Sequence, residues 1–232
     1  MIYVISDIHG EYEKYRAMLE KIRLSPEDTL YVLGDVIDRG PAPVKVLWDM
    51  AMRPNVIPVL GNHELFALEV LPVLLSEITE EHIETGLTPD FIDALGCWQY
   101  NGGAATIAQL KALSAEHRSL LLEYLEEFAP YALVKTAQGG KFLLVHGGLG
   151  NFSPERELDE YTLEELTYER PAPGQQYFDG ALTVVVGHTP TQLLCGESRI
   201  YKEENVIYID CGATFGGRLG CLCLDTMEEF YI

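Results

Sequence analysis

The sequence predicts an α/β protein, and three observations carry that prediction. Short apolar runs, most of them β-branched, recur along the chain; segments of helical period alternate with the first of them; and turn residues punctuate both. The first run, IYVIS at 2–6, is followed by EYEKYRAMLEKIRL at 11–24, whose apolar residues recur at helical spacing. TLYVL at 29–33 leads to a second helical segment at 43–52, and NVIPVL at 55–60 is the third strand. This alternation is that of βαβ units, a sheet covered by helices. Between about 64 and 130 the character changes, and ELFALEVLPVLLSEI, PDFIDALGCW and SAEHRSLLLEYLEEF all carry helical spacing with acidic polar faces. KFLLV at 141–145 and LTVVVG at 182–187 return to strand character, followed by NVIYID, LGCLCLD and EEFYI. With no internal repeat or low-complexity linker, residues 1–232 read as a single domain with a helical insertion at about 64–130.

Composition narrows the function classes. A hydrophobic fraction of 47% and a charged fraction of 22% suit a globular chain with a sizeable core. Its 36 acidic residues against 16 basic ones set a formal net charge of -20, a field that repels phosphate backbones and anionic lipid. Nucleic-acid and membrane partners are therefore not expected, and an anionic substrate would need a locally positive site. MIYVISDIHG has neither a basic n-region nor a long apolar h-region, and no apolar run approaches a membrane span. The five cysteines are irregularly spaced; Cys221 and Cys223 sit at strand spacing on one face and read as core. Reduced thiols fit a cytoplasmic setting. No feature sets an oligomeric state.

The residues at the ends of these apolar runs are the informative ones. IYVIS ends in Asp7-Ile8-His9-Gly10, and TLYVL in Gly34-Asp35 with Asp38-Arg39-Gly40 just after. NVIPVL ends in Gly61-Asn62-His63-Glu64, KFLLV in His146-Gly147-Gly148, and TVVV in Gly187-His188-Thr189-Pro190. Turn chemistry explains the glycines, and a single histidine beside a strand is usually a satisfied core residue. Five strand ends that each deliver a carboxylate, amide or imidazole point instead to one ligand site at the C-terminal edge of a sheet. The remaining histidines, His82 and His117, read as solvated helix faces. Oxygen and nitrogen donors without thiolate suit manganese, iron or zinc, and so many buried acidic groups require cations beside them. Six candidate ligands exceed what one tetrahedral ion needs; with one carboxylate bridging they fit two ions roughly 3.5–4 Å apart, the spacing of two-metal phosphoryl transfer.

In this order, the five motifs resemble those of the calcineurin-like metallophosphoesterases, and within them the phosphoprotein phosphatase branch, especially its small bacterial and phage members. Trp98, Asn101-Gly102-Gly103 and Thr106 are similar to that small group as well. The resemblance implies a four-layer α/β/β/α sandwich of two mixed sheets with a helical cap insertion. It implies Asp7, His9 and Asp35 on one divalent ion and Asp35, Asn62, His146 and His188 on a second, manganese being preferred with iron or zinc as alternatives. It further implies His63 as general acid, Asp38 as its carboxylate partner, Arg39 as phosphate clamp beside Asn62, and a hydroxide bridging the ions as nucleophile. A further phosphate-binding arginine is expected after His146-Gly147-Gly148, with Arg170 preferred over Arg156. Leu60 stands where protein phosphatases of the branch usually carry arginine, and Ser6 where glycine is more common. The expected substrate is a phosphoserine or phosphothreonine protein, with a symmetrical dinucleoside tetraphosphate or another small phosphorylated metabolite as the alternative. A non-catalytic metal-binding relative is the remote third reading. The inserted helices are expected to wall the site and set substrate choice.

Overall fold

The structure, a computed structural model, describes residues 1–76 and 86–232; His82 lies outside them. Strands β1 (Ile2–Ile5), β2 (Thr29–Leu33) and β3 (Val56–Val59) run parallel, while β9 (Gly220–Cys223) and β10 (Glu229–Tyr231) complete the sheet antiparallel, in the order β10–β9–β1–β2–β3. A second sheet joins β4 (Tyr131–Lys135), β5 (Lys141–Val145), β6 (Thr183–Val186), β7 (Tyr201–Glu203) and β8 (Val206–Tyr208) in the order β4–β5–β6–β8–β7. There β5, β6 and β8 are parallel and the two outer strands antiparallel, so both sheets are mixed. Pro58 is tolerated in β3 because that strand is the sheet's edge and needs no donor on its free side.

Side chains alternate along each strand with period two, and the alternation separates three cores. Tyr3 and Ile5 of β1 and Cys221 and Cys223 of β9 face outward into the helices that cover the first sheet. Val4, Leu33, Leu144, Val185 and Leu222 face inward and fill the space between the two sheets. Leu143, Val145, Val184 and Val186 point out of the other side, against Leu149, Tyr161, Leu166 and Tyr177. Helix, sheet, sheet, helix: the expected four layers are present.

Helix α1 (Tyr12–Ile22) buries Tyr15, Met18, Leu19 and Ile22 on one stripe and stops where Arg23 turns left-handed. Helix α2 (Pro43–Ala51) opens on a proline, whose missing N–H is no loss at the first helical position. The inserted helices are α3 (Asn62–Leu74), α4 (Pro89–Trp98), α5 (Ala104–Lys111) and α6 (Ala115–Glu126). They do not stand apart: Phe91, Trp98, Ile107, Leu110, Leu121 and Leu125 share one core with Tyr15, Met18, Leu47 and Met50. The insertion thus thickens the outer layer of the first sheet.

Two strands escape the sequence reading, β4 and β7. Both are outer strands of the second sheet, and their alternate residues face solvent; Leu133 in β4 is 62% exposed. β7, YKE, lacks the continuous apolar run by which its buried neighbours are recognised.

Candidate functional site

The C-terminal ends of the parallel strands of both sheets meet at one place. Two hydrogen bonds stitch them across the sandwich: His146 Nδ1 donates to the Leu33 carbonyl (2.7 Å), and the His188 N–H to Asp7 Oδ2 (3.0 Å). The turns are tight enough to need glycine; a Cβ on Gly34, at φ +68°, would lie 2.5 Å from Gly61 Cα and 2.8 Å from His146 Nδ1. Asp7, His9, Asp35, Asp38, Arg39 and His188 all have positive φ, between 44° and 72°. Left-handed backbone is uncommon outside glycine and gathers where a side chain must be aimed.

Glu64 holds two of these turns together. Fully buried at the third position of α3, its carboxylate accepts N–H bonds from Gly61 (3.1 Å), Asp35 (2.8 Å), Val36 (2.9 Å) and Ile37 (3.3 Å). Its bond to the Gly61 N–H caps the start of α3, and its other three bonds mould the loop that carries Asp35 and Asp38.

The carboxylate of Asp35 lies at the centre. Its Oδ2 is 3.4 Å from His9 Nε2 and 3.8 Å from His63 Nε2, whereas Oδ1 is 3.3 Å from His146 Nε2. Two groups of three donors therefore share it: His9, Asp35 and His63, and Asp35, His146 and His188, with donor atoms in each group within 4.8 Å of one another. Asn62 Oδ1 joins the second group, 3.1 Å from His146 Nε2. His9 and His146 each commit Nδ1–H to a main-chain carbonyl, Ile37 at 2.8 Å and Leu33 at 2.7 Å, which turns both Nε2 atoms inward. Ligating histidines are oriented in this manner, and the oxygen and nitrogen donors present fit divalent cations.

Electrostatics within the cluster are strongly coupled. Burial pushes the Asp35 carboxyl up, but His146 and His63 outweigh it and hold the group well below the usual carboxylate range. His146 mirrors this: burial opposes its charge, yet Asp35 raises it to about 10. Burial, followed by the adjacent His146, lowers His188 to about 3, leaving a neutral ring. Burial also disfavours charge on His63, and Asp35 together with Asp38 overcomes it and raises the group.

Most of the residues singled out in the sequence come together here. His63, wholly buried, donates Nδ1–H to Asp38 Oδ2 at 2.6 Å. Arg39 spans the cluster rather than standing off it; one guanidinium nitrogen contacts His9 Nε2 and the other lies 2.8 Å from His63 Nε2, while Phe215 packs 5.2 Å beneath. Arg170 donates to the His188 carbonyl (3.1 Å) and Thr189 Oγ1 (2.9 Å) and lines the cleft. Arg156 is turned away, paired with Glu165 at 2.6 Å and stacked on Tyr161. Asp7 is buried beside the cluster, with Oδ2 accepting from Ser6 Oγ and the His188 N–H, and the compact group around His9 contains His63. Ser6 is a hydrogen-bond partner of Asp7. Leu60 packs into the core and does not line the cleft. His117 is exposed on α6, as expected.

Asp210, at the end of β8, is the residue that sequence reasoning missed. It is buried and lines the cleft, and burial, reinforced by Asp7, lifts it to about 8. The signal was available: NVIYID is one more apolar run ending in a carboxylate. The cleft of about 530 Å³ has Asp35, Asn62 and His188 in its floor and Tyr168, Leu193 and Phe215 at its margin; among the described residues of the insertion, Asn101 alone lines it. The described inserted helices cover the first sheet, and Phe66 of α3 stacks edge-on against His63 and Tyr168 beside the cleft.

Buried acidic and imidazole donors sharing one carboxylate, with two arginines alongside, are the equipment of a metal-dependent phosphoric-ester hydrolase. A family model described as calcineurin-like phosphoesterase matches residues 1–213, and the chain belongs to that family. It is similar, at 24% identity, to a symmetrical bis(5'-nucleosyl)-tetraphosphatase of Klebsiella pneumoniae strain 342 and, at 27%, to one of Escherichia coli strain K12 / DH10B, each over 98% of this chain and 93% of theirs. Among solved structures, a candidate diadenosine tetraphosphatase superposes with a TM-score of 0.66 at 18% identity, covering 100% of this chain and 92% of that one. A protein serine/threonine phosphatase of Saccharomyces cerevisiae does so at 0.62 and 14%, covering 100% and 79%. These structures share the fold. Among the described residues no helix is long and apolar enough to cross a membrane.

Proposed function

We propose that the chain hydrolyses dinucleoside polyphosphates, holding two divalent ions, manganese first, on Asp7, His9, Asp35, Asn62, His146 and His188. The observation that carries the substrate is the composition of the cleft, a charged floor under an apolar margin. Phe215 is 63% exposed and Tyr168 42% exposed beside Arg39 and Arg170, which suits a polyphosphate that ends in stacking bases. The symmetrical tetraphosphatases that match this chain over nearly their whole length support the same reading.

When bound, such ions supply Lewis-acid polarisation of phosphoryl oxygen and a water acidic enough to attack at neutral pH. The chain's own groups do the rest. Arg39 turns its planar fork from His9 and His63 toward the phosphoryl oxygens, and Arg170 holds a second phosphate. His63 delivers a proton from Nε2 to the leaving oxygen, and Asp38 keeps Nδ1–H fixed and favours the charged ring.

A phosphoprotein substrate is the second reading. Its support in the sequence is Glu64 and the Trp98–Thr106 segment. Glu64 is directed at four backbone N–H groups, and Trp98 and Thr106 are buried behind Asp38. Glu64, Trp98 and Thr106 do not line the cleft; of the segment, Asn101 does.

The test is a manganese-reconstituted panel comparing kcat/KM for diadenosine tetraphosphate, a phosphoserine peptide and a simple aryl phosphate. Diadenosine tetraphosphate is expected to lead, and Phe215→Ala to raise its KM by roughly 5- to 100-fold, the range for one lost base–aromatic stack, with little change for the aryl phosphate. A higher kcat/KM on the phosphopeptide would reverse the assignment.

A further inference from the structure

We infer that Trp98 and Thr106 are positioning residues for the His63–Asp38 pair, and that the segment between them aligns the proton donor with the leaving oxygen. The inference rests on the acid role proposed for His63. Asp38 has no exposed surface, and every donor around it comes from a defined side chain. Trp98 Nε1 donates to Asp38 Oδ2 at 2.6 Å, the same oxygen that takes His63 Nδ1–H at 2.6 Å. Thr106 Oγ1 donates to Oδ1 at 2.5 Å and accepts the Asp38 N–H at 3.0 Å. Both carboxylate oxygens are thereby held, and the backbone of Asp38 with them. The plane of the His63 ring depends on the position of Oδ2, because a buried imidazole takes its orientation from the partner of its other nitrogen.

The chain between the two residues is shaped for this task. Helix α4 ends at Trp98 and α5 begins at Ala104, and between them the chain kinks at Gly102, whose φ of 105° is outside the helical range. Glycine adopts this positive φ without the steric cost other residues bear. The kink rotates Thr106 and Trp98 onto the same carboxylate, which a continuous helix would not do, since residues eight apart lie more than two turns along its axis. Gly103 makes room for the indole; a Cβ there would sit 2.6 Å from Trp98 Nε1. Gly102 accepts the Arg39 N–H at 3.1 Å. A single turn of the insertion therefore braces Asp38 and Arg39 together, although it contributes only Asn101 to the lining of the cleft.

The experiment compares Thr106→Val, Thr106→Ser, Trp98→Phe and His63→Asn in the full, manganese-loaded chain. It measures kcat and KM on aryl phosphates with poor and with activated leaving groups, alongside metal content by elemental analysis and thermal melting. Thr106→Val, which removes the hydroxyl at nearly constant volume, and Trp98→Phe should each lower kcat roughly 5- to 50-fold with the poor leaving group. Activated esters, KM and metal content should change little, and Thr106→Ser should restore wild-type kcat. Wild-type kcat in Thr106→Val and Trp98→Phe, with His63→Asn still impaired on poor leaving groups, overturns the positioning role alone. Equal losses on both esters accompanied by metal loss reduce these residues to structural ones. A His63→Asn variant with no preference for activated esters overturns the acid role itself, and the positioning role with it. If Trp98→Phe fails to fold, the Thr106→Val and Thr106→Ser pair decides.

Discussion

Asp35 shows how much one side chain is asked to do. Its two oxygens address different histidine groups, its N–H is held by Glu64, and Oδ1 also accepts the His63 N–H at 3.1 Å. In Asp35→Asn the uncharged amide leaves two groups of imidazoles without their shared anion. We expect both ions to be lost by elemental analysis; retention of two would remove the bridging role. The residue types at this site were readable from their positions at strand ends. Their partners were not. Ser6 to Asp7 is a contact between sequence neighbours, yet its value depends on the Asp7 carboxylate turning back over the backbone at φ 52°. Asp210 escapes although NVIYID reads as a strand, because no histidine accompanies the carboxylate at that strand end.

At the scale of elements, short helices and their caps hold the loops in place. Helix α7 (Leu163–Thr167) backs the turn after β5, where Gly147 N–H donates to the Leu166 carbonyl at 2.8 Å. Glu165 anchors that helix: it accepts from Arg156 (2.6 Å), Asn151 (3.0 Å) and the Thr162 N–H (3.0 Å). Arg156, then Asn151 and the Thr162 N–H, bring its carboxyl down to about 2. Because the folded group is more acidic than the unfolded one, the stabilisation is present above the unfolded value near 4.5 and is lost as pH falls toward 2. Glu165→Gln should accordingly melt at a lower temperature than the parent at pH 6–7 and converge with it near pH 2; a constant difference across that window would discard the charge-based account. Long elements with a regular period, such as α1, were legible from sequence. The kink after α4 was not, because its shape is set by Trp98 and Thr106 reaching a carboxylate about sixty residues away in the chain.

For the molecule as a whole, the layer between the sheets decides whether a site exists. Sheet packing brings His146 and His188 from one sheet against Asp7 and Asp35 from the other, and the apolar residues between the sheets set that distance. Leu144 is fully buried in this layer. Leu144→Ala should cost about 2–5 kcal/mol in unfolding free energy, measured by denaturant titration, and a cost below about 1 kcal/mol would show that the layer relaxes around the gap. The formal charge of -20 is tolerable around an anionic substrate only because the acidic residues of the site are paired with imidazoles and guanidinium and are suited to hold cations.

By itself the sequence determined the alternation of strand and helix, the residue type at each strand end and the family those motifs resemble. All three depend on local spacing, which the chain carries in one dimension. The tertiary structure alone decided that Arg170 and not Arg156 enters the cleft, that Glu64, Trp98 and Thr106 face inward, and that Asp210 completes the floor. These outcomes depend on how two sheets stack and on which turns then touch. Contacts between residues from different turns of the chain leave no periodic trace in the sequence from which they could be read.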